Sequence, residues 1–322
     1  MTEQVQLSAT VSDDLIGKRL DQAVATLFPD YSRSRLQGWI KDGSITVNGE
    51  VKRQRDKLMG GELLVIAAEL DVIDQYKAVE MPLDIVYEDD DIMIINKPTN
   101  LVVHPAAGHW DDTLLNGLLH YCPDIAQVPR AGIVHRLDMD TTGLMVVAKT
   151  IQAQTELVAQ LQDRSMGREY EAVVNGVMTG GGTVDETLGR HSRNRQKMAV
   201  TGMGKEAVTH YRVLGKFRAH THIRLKLETG RTHQIRVHMS YINYPLVGDQ
   251  LYGGRFRLPK GISPQLQGRL KRFTRQALHA KRLELFHPVT GELMAWEIDL
   301  PDDLQNLIDS LKKDADYHEI DL

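Results

Sequence analysis

Cysteine is nearly missing from this chain: Cys122 is the single one among 322 residues. That excludes an internal disulfide and a zinc site built on cysteines. Apolar runs of membrane-spanning length are missing too, and the opening MTEQVQLSATVSDD has no basic start followed by an apolar block. A protein that is neither exported nor membrane-anchored is therefore expected, with the cytoplasm as its compartment. There is no internal repeat and no low-complexity tract. What is present is 42% hydrophobic residues, enough to fill a sizeable core in one large domain or two unequal ones.

Strong net charge is also lacking, at −4, but the mean conceals polarity along the chain. Residues 187–236 carry 12 Lys and Arg against only Glu206 and Glu228, and residues 255–282 carry nine with no acid. The acids gather at Asp84, at Glu88 to Asp91 and after Trp296. One such run is ordinarily a solvated face. Two basic windows in a chain that is acidic overall point to a polyanionic partner, with nucleic acid ahead of a membrane.

The first segment reads as a module of its own. Leu15, Leu20, Ala23, Val24, Leu27 and Phe28 recur at helical spacing, and Pro29 with Asp30 ends that helix. A second helix is capped by Ser32 or Ser34, turns Leu36, Trp39 and Ile40 inward and stops at Gly43. In SITVNGEVKR, Asn48 and Gly49 form a hairpin signal between two strands, and GGELLVIAA adds another strand. Acids and a proline without a clear period then mark a linker at 71–82.

Beyond the linker, strands outnumber helices without regular alternation. LDIVYEDDDIMIINKP gives two short strands around an acidic turn, TIQAQTELVAQLQD a helix, and REYEAVVNG a strand. THIRLKLETG alternates Ile223, Leu225 and Leu227 against Arg224, Lys226 and Glu228. THQIRVHMSYINYP then turns helical, with Thr232 as the expected cap. The fold class is α+β on a mixed, largely antiparallel sheet. The expected domains are 1–70, a catalytic domain at 83–305 and an acidic C-terminal tail at 306–322.

Two stretches carry candidate chemistry. In AGIVHRLDMDTTGLMVVAK, the charged HRLDMD sits between apolar runs, and Arg136 and Asp138 are two residues apart in extended chain, on one side of it and able to pair. In LETGRTHQIR, Gly230 permits a tight turn and Arg231 lies between a strand end and a helix, where rigid frames mount reactive groups. Thirteen histidines invite a metal reading, but His233 and His238 are five apart and do not converge on one helical face.

Arg19 to Asp21, Ser32 to Arg35, Trp39 and Val47 to Gly49 resemble the pattern of the S4 RNA-binding domain. The resemblance implies that Arg33, Arg35 and Lys41, with Arg19, face RNA phosphates. HRLDMDTTGL, REYEAVVNG, LETGRTHQIRVHM, YPLVGD and the earlier INKPTNLVVHP resemble, in order and spacing, the RluA family of pseudouridine synthases, over nearly the whole chain. By that resemblance Asp138 is the essential aspartate, Arg231 its basic partner, and Tyr170 the aromatic that stacks on the target base. Arg136 helps hold the target nucleotide out of the RNA stack, with His135 beside it at the RNA.

The resemblance implies uridine isomerisation with no cofactor and no metal, in 23S rRNA or a large-subunit precursor particle, at the helix 69 stem-loop, by a monomer. A carboxylate attacks C1′ or removes the C2′ proton, and a stacked aromatic retains the released base. The nucleotide must be flipped for C1′ to be reached. Two positions depart from the family pattern: Met139 replaces a basic residue, which predicts weaker RNA contact, and Asn100 replaces glycine in a turn that Asn tolerates. Three alternatives remain open: a tRNA substrate, a hydrolase using Asp138 and Asp140 as an acid and base pair, and a non-catalytic RNA-binding assembly factor.

Overall fold

The computed structural model describes residues 3–28, 31, 33–70, 76–106, 108–194, 196–255 and 258–320. Chain contacts divide it into two compact units, Met1–Gln75 and Tyr76–Leu322.

The first unit contains β1 (Glu3–Thr10), α1 (Leu20–Leu27), α2 (Arg33–Asp42), β2 (Ile45–Val47), β3 (Glu50–Val51) and β4 (Leu63–Leu70). Its antiparallel sheet runs in the order β1-β4-β2-β3. Asn48 and Gly49 both take positive φ, 51° and 82°, which a two-residue turn matching the strand twist requires. Leu20, Val24, Leu36, Ile40, Ile45, Leu64 and Ile66 form the core between helices and sheet. Two readings change. The helix expected across Leu15 to Phe28 is interrupted: Leu15 ends a short 3-10 turn, Gly17 takes φ 76°, and α1 begins only at Leu20. β1 was not foreseen, because only Val5 of its apolar positions is buried and Leu7 stays exposed.

The second unit holds β5 (Ile85–Glu88), β6 (Ile92–Lys97), α3 (Leu114–Tyr121), β7 (Thr142–Ala148), α4 (Ile151–Gln162) and β8 (Gly167–Asn175). There follow β9 (Gly182–Asp185), β10 (Leu188–Arg190), β11 (Met198–Val200), β12 (Val208–Lys216), β13 (His220–Leu227) and α5 (Gln234–Tyr241). The chain ends with α6 (Pro264–Arg272), β14 (Leu278–Phe286), β15 (Leu293–Glu297) and α7 (Asp302–Ile320). Among the described residues nine strands form one sheet, ordered β5-β6-β7-β14-β8-β13-β12-β9, with β15 on β14. Only β7 and β14 pair in parallel; the other pairs are antiparallel.

Burial explains which strands are central. β6 and β7 are apolar on both faces: Met93, Ile95, Met145 and Val147 enter one core, while Ile92, Ile94, Leu144 and Val146 enter the other under α4. β13 is one-sided, with Ile223, Leu225 and Leu227 buried, as its alternation predicts. Gly143 lets β7 approach β14, since a Cβ there would lie 2.3 Å from the Ala280 carbonyl oxygen. Two domain boundaries also move. Within 76–82, placed in the linker, the chain packs on α3: the Val79 amide bonds the Asn116 carbonyl and Asn116 bonds the Lys77 carbonyl. The segment expected as an acidic tail continues α7, which buries Leu304, Leu307, Ile308 and Leu311 against Leu266 and Leu270 of α6. Asp302 and Asp309 stay off this apolar face, while Asp314 is buried and accepts from the Ser263 N–H and Arg218.

Candidate active site

HRLD lies in the loop entering β7. The first apolar run before it is not a strand: Pro129–Gly132 is a 3-10 turn and Ile133 makes a single bridge to Val147. The loop is pinned through its own carbonyls. Thr141 N–H donates to the Asp138 carbonyl, Lys97 Nζ and Leu101 N–H to that of Met139, and Arg275 to that of Asp140. Lys97 is fully buried and its ammonium also donates to the carbonyls of Pro98 (2.7 Å) and Leu101 (2.9 Å). Burial draws Lys97 down to about 7, with Asp140 and Asp138 pulling the other way. Asn100 takes φ 58°, so the turn beside this lysine keeps the left-handed geometry expected of it.

The side chain of Asp138 is 16% exposed at the edge of an open pocket of about 530 Å³, large enough for a small ligand. Arg236 Nη1 donates to Asp138 Oδ2 at 2.9 Å. Arg236 is itself clamped by Asp249, with Nε to Oδ2 at 2.7 Å and Nη2 to Oδ1 at 2.9 Å. Burial alone would raise the Asp249 carboxyl, but Arg236 and the amides of Tyr252 and Leu251 hold it below its ordinary value. Such a two-pronged guanidinium–carboxylate contact fixes orientation as well as charge.

The expected pairing of Arg231 with Asp138 is therefore corrected: Arg236 takes that place. Arg231 is exposed, and its Nε donates to the Glu206 carbonyl at 3.0 Å. The reason lies in the turn. Gln234 is buried and uses its whole amide, accepting from Thr229 Oγ1 and the Arg231 N–H and donating to the Val208 carbonyl and Thr209 Oγ1. This holds residues 229–234 so that the first turn of α5, not the preceding loop, faces Asp138. The cap is His233 at φ 56°, rather than Thr232.

His233 contacts the other side of Asp138. Its Nδ1 lies 2.8 Å from the Tyr252 hydroxyl and its Nε2 lies 3.9 Å from Asp138 Oδ1. Burial holds its imidazole below the ordinary value although Asp138 opposes the shift. Tyr252 accepts from the Met198 N–H, and its ring also faces the Arg236 guanidinium at 5.0 Å. His238 bonds Thr209 Oγ1 and the Glu186 carbonyl instead, in the interior.

Tyr170, on β8, is 6% exposed and lines the pocket with Asp138, Arg136 and Arg168. Burial raises its phenol above the ordinary value. Arg136 is exposed at the rim. His135 is turned inward: its Nε2 accepts from the Val146 N–H at 3.1 Å, and burial, reinforced by Arg168, pushes it down to about 3. That nitrogen is committed to β7, so His135 props the loop from behind. In the first unit Arg19 forms a two-pronged pair with Asp21, and Lys41 is exposed on α2. The side chains of Arg33 and Arg35 and the whole of Ser32 lie outside the described residues.

Arg236, Asp249, His233, Tyr252, Lys97 and Arg168 were missed by the sequence reading. All lie in motifs already singled out, QIRVHM, YPLVGD with the tyrosine after it, THQ, NKP and REY, but which side chain of each motif turns inward was not legible. A separate group, Asp89, Asp91 and His287, brings three ligand atoms within 4.8 Å of one another. Asp89 there already accepts from Tyr87, His287 and the amides of Asp91 and Ile92, which accounts for the cluster as a turn lock.

Comparison with known proteins shows the family of the chain. The family described as RNA pseudouridylate synthase matches residues 91–241, and the S4 domain matches residues 18–63. The chain is 61% identical over 317 residues to ribosomal large subunit pseudouridine synthase D of Yersinia pestis, covering 98% of both chains. It is 58% identical over 319 residues to the protein of the same name from Escherichia coli, covering 99% of this chain and 98% of that one. Among solved structures, human RNA pseudouridylate synthase domain containing 4 aligns with a TM-score of 0.56 at 25% identity, covering 71% of this chain and 93% of that one. Human RNA pseudouridylate synthase domain containing 1 gives 0.53 at 28%, covering 71% and 87%.

Proposed function

We propose that this chain, which belongs to the RNA pseudouridylate synthase family and so isomerises uridine in RNA to pseudouridine, works through Asp138 on the 23S rRNA of the large ribosomal subunit. The observation that carries the catalytic assignment is the Arg236 bridge, which joins Asp138 to the buried Asp249 at the mouth of the pocket. A carboxylate held by one oxygen leaves the other free for the sugar, either to attack C1′ or to take the C2′ proton. Tyr170 stacks on the base, and Arg136 at the rim occupies the space left by the flipped nucleotide. The rRNA assignment rests on the names of relatives near 60% identical over the whole chain.

Within 23S rRNA the reading takes the helix 69 stem-loop as target, in free rRNA or a precursor particle, with the enzyme acting as a cytoplasmic monomer. The S4 unit supplies phosphate contacts through Lys41, Arg33, Arg35 and Arg19. Among the described residues no helix is long and apolar enough to cross a membrane.

The test is tritium release from C5-labelled uridine in 23S rRNA and in tRNA, followed by mapping of the modified sites. Wild type releases tritium from the rRNA, and Asp138→Asn, which keeps shape and removes charge, releases none while binding RNA normally. Turnover by Asp138→Asn within tenfold of wild type sinks the catalytic assignment; release from tRNA alone moves the substrate.

A further inference from the structure

Arg168 stands two residues before Tyr170 on β8, on the same face, and lines the same pocket. It is 6% exposed, yet among the described residues no carboxylate pairs with it. Its Nε has no hydrogen-bond partner, and its Nη2 makes one long contact, 3.5 Å, to the Glu228 carbonyl. Every other buried arginine of this unit is differently placed: Arg236 is clamped by Asp249 and Asp138, and Arg275 by Asp303. A guanidinium removed from water without a counter-charge is strongly disfavoured, so its retention here calls for a partner that arrives with the ligand. Room is kept for it, since a Cβ on Gly230 would lie 2.5 Å from Arg168 Nη1.

We propose that Arg168 is the receptor for an anionic oxygen of the bound nucleotide, namely the carbonyl oxygen of the uracil that the reaction detaches. The inference rests on the Asp138 reading. Breaking the C1′–N1 bond leaves its electron pair on the base, an anion with charge shared by N1, O2 and O4. Asp138 supplies the matching electrons to the sugar, by attack on C1′ or by removing the C2′ proton. Joining C5 to C1′ takes the pair back and regenerates the Asp138 carboxylate, as its ester bond to C1′ breaks or the proton it took returns to C2′, and the proton lost from C5 is balanced by one gained at N1. Charge thus appears on the base only while it is detached, in a pocket floored by an unpaired guanidinium. Fixed charge aimed at where charge develops is the largest class of catalytic stabilisation.

The competing source of an anionic oxygen is an RNA phosphate, and the two separate experimentally. Arg168→Met should lower the single-turnover rate at saturating RNA at least about 100-fold, in line with the loss of one oxyanion donor. RNA affinity and the slope of log affinity against log salt should not change. A phosphate contact predicts the reverse, with the slope reduced by about 0.7 to 0.9 and the saturated rate kept. Melting supplies a readout that a structural role cannot imitate: Arg168→Met removes an uncompensated buried charge, so the melting temperature should hold or rise while the rate falls. A fall in both makes Arg168 a structural residue and overturns the proposal. Gly230→Ala, which displaces the guanidinium without removing it, should reproduce the rate loss. Asp138→Asn is the control for the underlying reading: if it remains active the Asp138 assignment fails by itself, whereas an inactive Asp138→Asn beside a fully active Arg168→Met overturns only the role of Arg168.

Discussion

Arg231 and Arg236 lie five residues apart in one motif and have opposite fates. Arg231 sits in the turn before α5, exposed, with a backbone carbonyl as its partner. Arg236 sits on the first turn of α5, 8% exposed, and joins two carboxylates. Both are arginines within reach of the same loop, so residue type does not decide. The decision is made by Gln234, whose saturated amide sets where the helix begins, and by Asp249, thirteen residues on, which gives a buried guanidinium a counter-charge. A catalytic carboxylate is held by the arginine that the core can stabilise, not by the one nearest the strand end.

The comparison can be broken on the stability side first. Arg236→Ala leaves Asp249 buried and unpaired and should cost about 4 kcal/mol in chemical denaturation. Arg231→Ala removes an exposed side chain and should cost less than about 1 kcal/mol; equal losses would erase the distinction. Lys97→Met tests whether the loop is held from beneath as firmly as Asp138 is held from the side. It removes the ammonium donor from the carbonyls of Pro98, Leu101 and Met139, of which Met139 keeps only the Leu101 N–H, and should cost about 3 kcal/mol by melting or denaturation.

Glu171 sharpens the comparison away from the site, because it too is a buried carboxylate with a cationic partner. Burial raises it, but hydrogen bonds from His222 and Arg224 outweigh that and hold it at about 2. A depressed carboxyl contributes stability above its unfolded value of 4.5 and loses it as pH falls toward 2. Stability should drop by about 3 kcal/mol across that window, and Glu171→Gln should flatten the drop. The smallest effect belongs to Tyr170→Phe, which keeps the stacking face and should shift stability by less than about 1 kcal/mol in a thermal melt.

Much of this architecture was legible in the chain. The Asn48–Gly49 hairpin, the alternation of β13 and the two-sided apolar runs of β6 and β7 follow from local rules of turn chemistry and period, so they survive without tertiary information. The pocket was legible as a set of motifs, and Asp138 and Tyr170 do meet there. The inward-facing partners were not, because Arg236, Tyr252 and Arg168 are distinguished from their neighbours only by what lies opposite them in space. Leu304, Leu307, Ile308 and Leu311 were hidden in the same way: the acids of 302–320 dominate the composition, while the helical stripe shows only once α6 supplies a surface for it.

The claim that Arg236, and not Arg231, holds Asp138 for chemistry is tested most directly by single-turnover rates at saturating 23S rRNA for Arg236→Lys and Arg231→Ala. Lysine keeps the charge but cannot reproduce the fork that spans Asp138 and Asp249. Arg236→Lys should fall at least about tenfold in rate and Arg231→Ala should stay within about threefold of wild type, one factor of ten being about 1.4 kcal/mol in the barrier. A normal rate for Arg236→Lys beside a crippled Arg231→Ala would contradict the account.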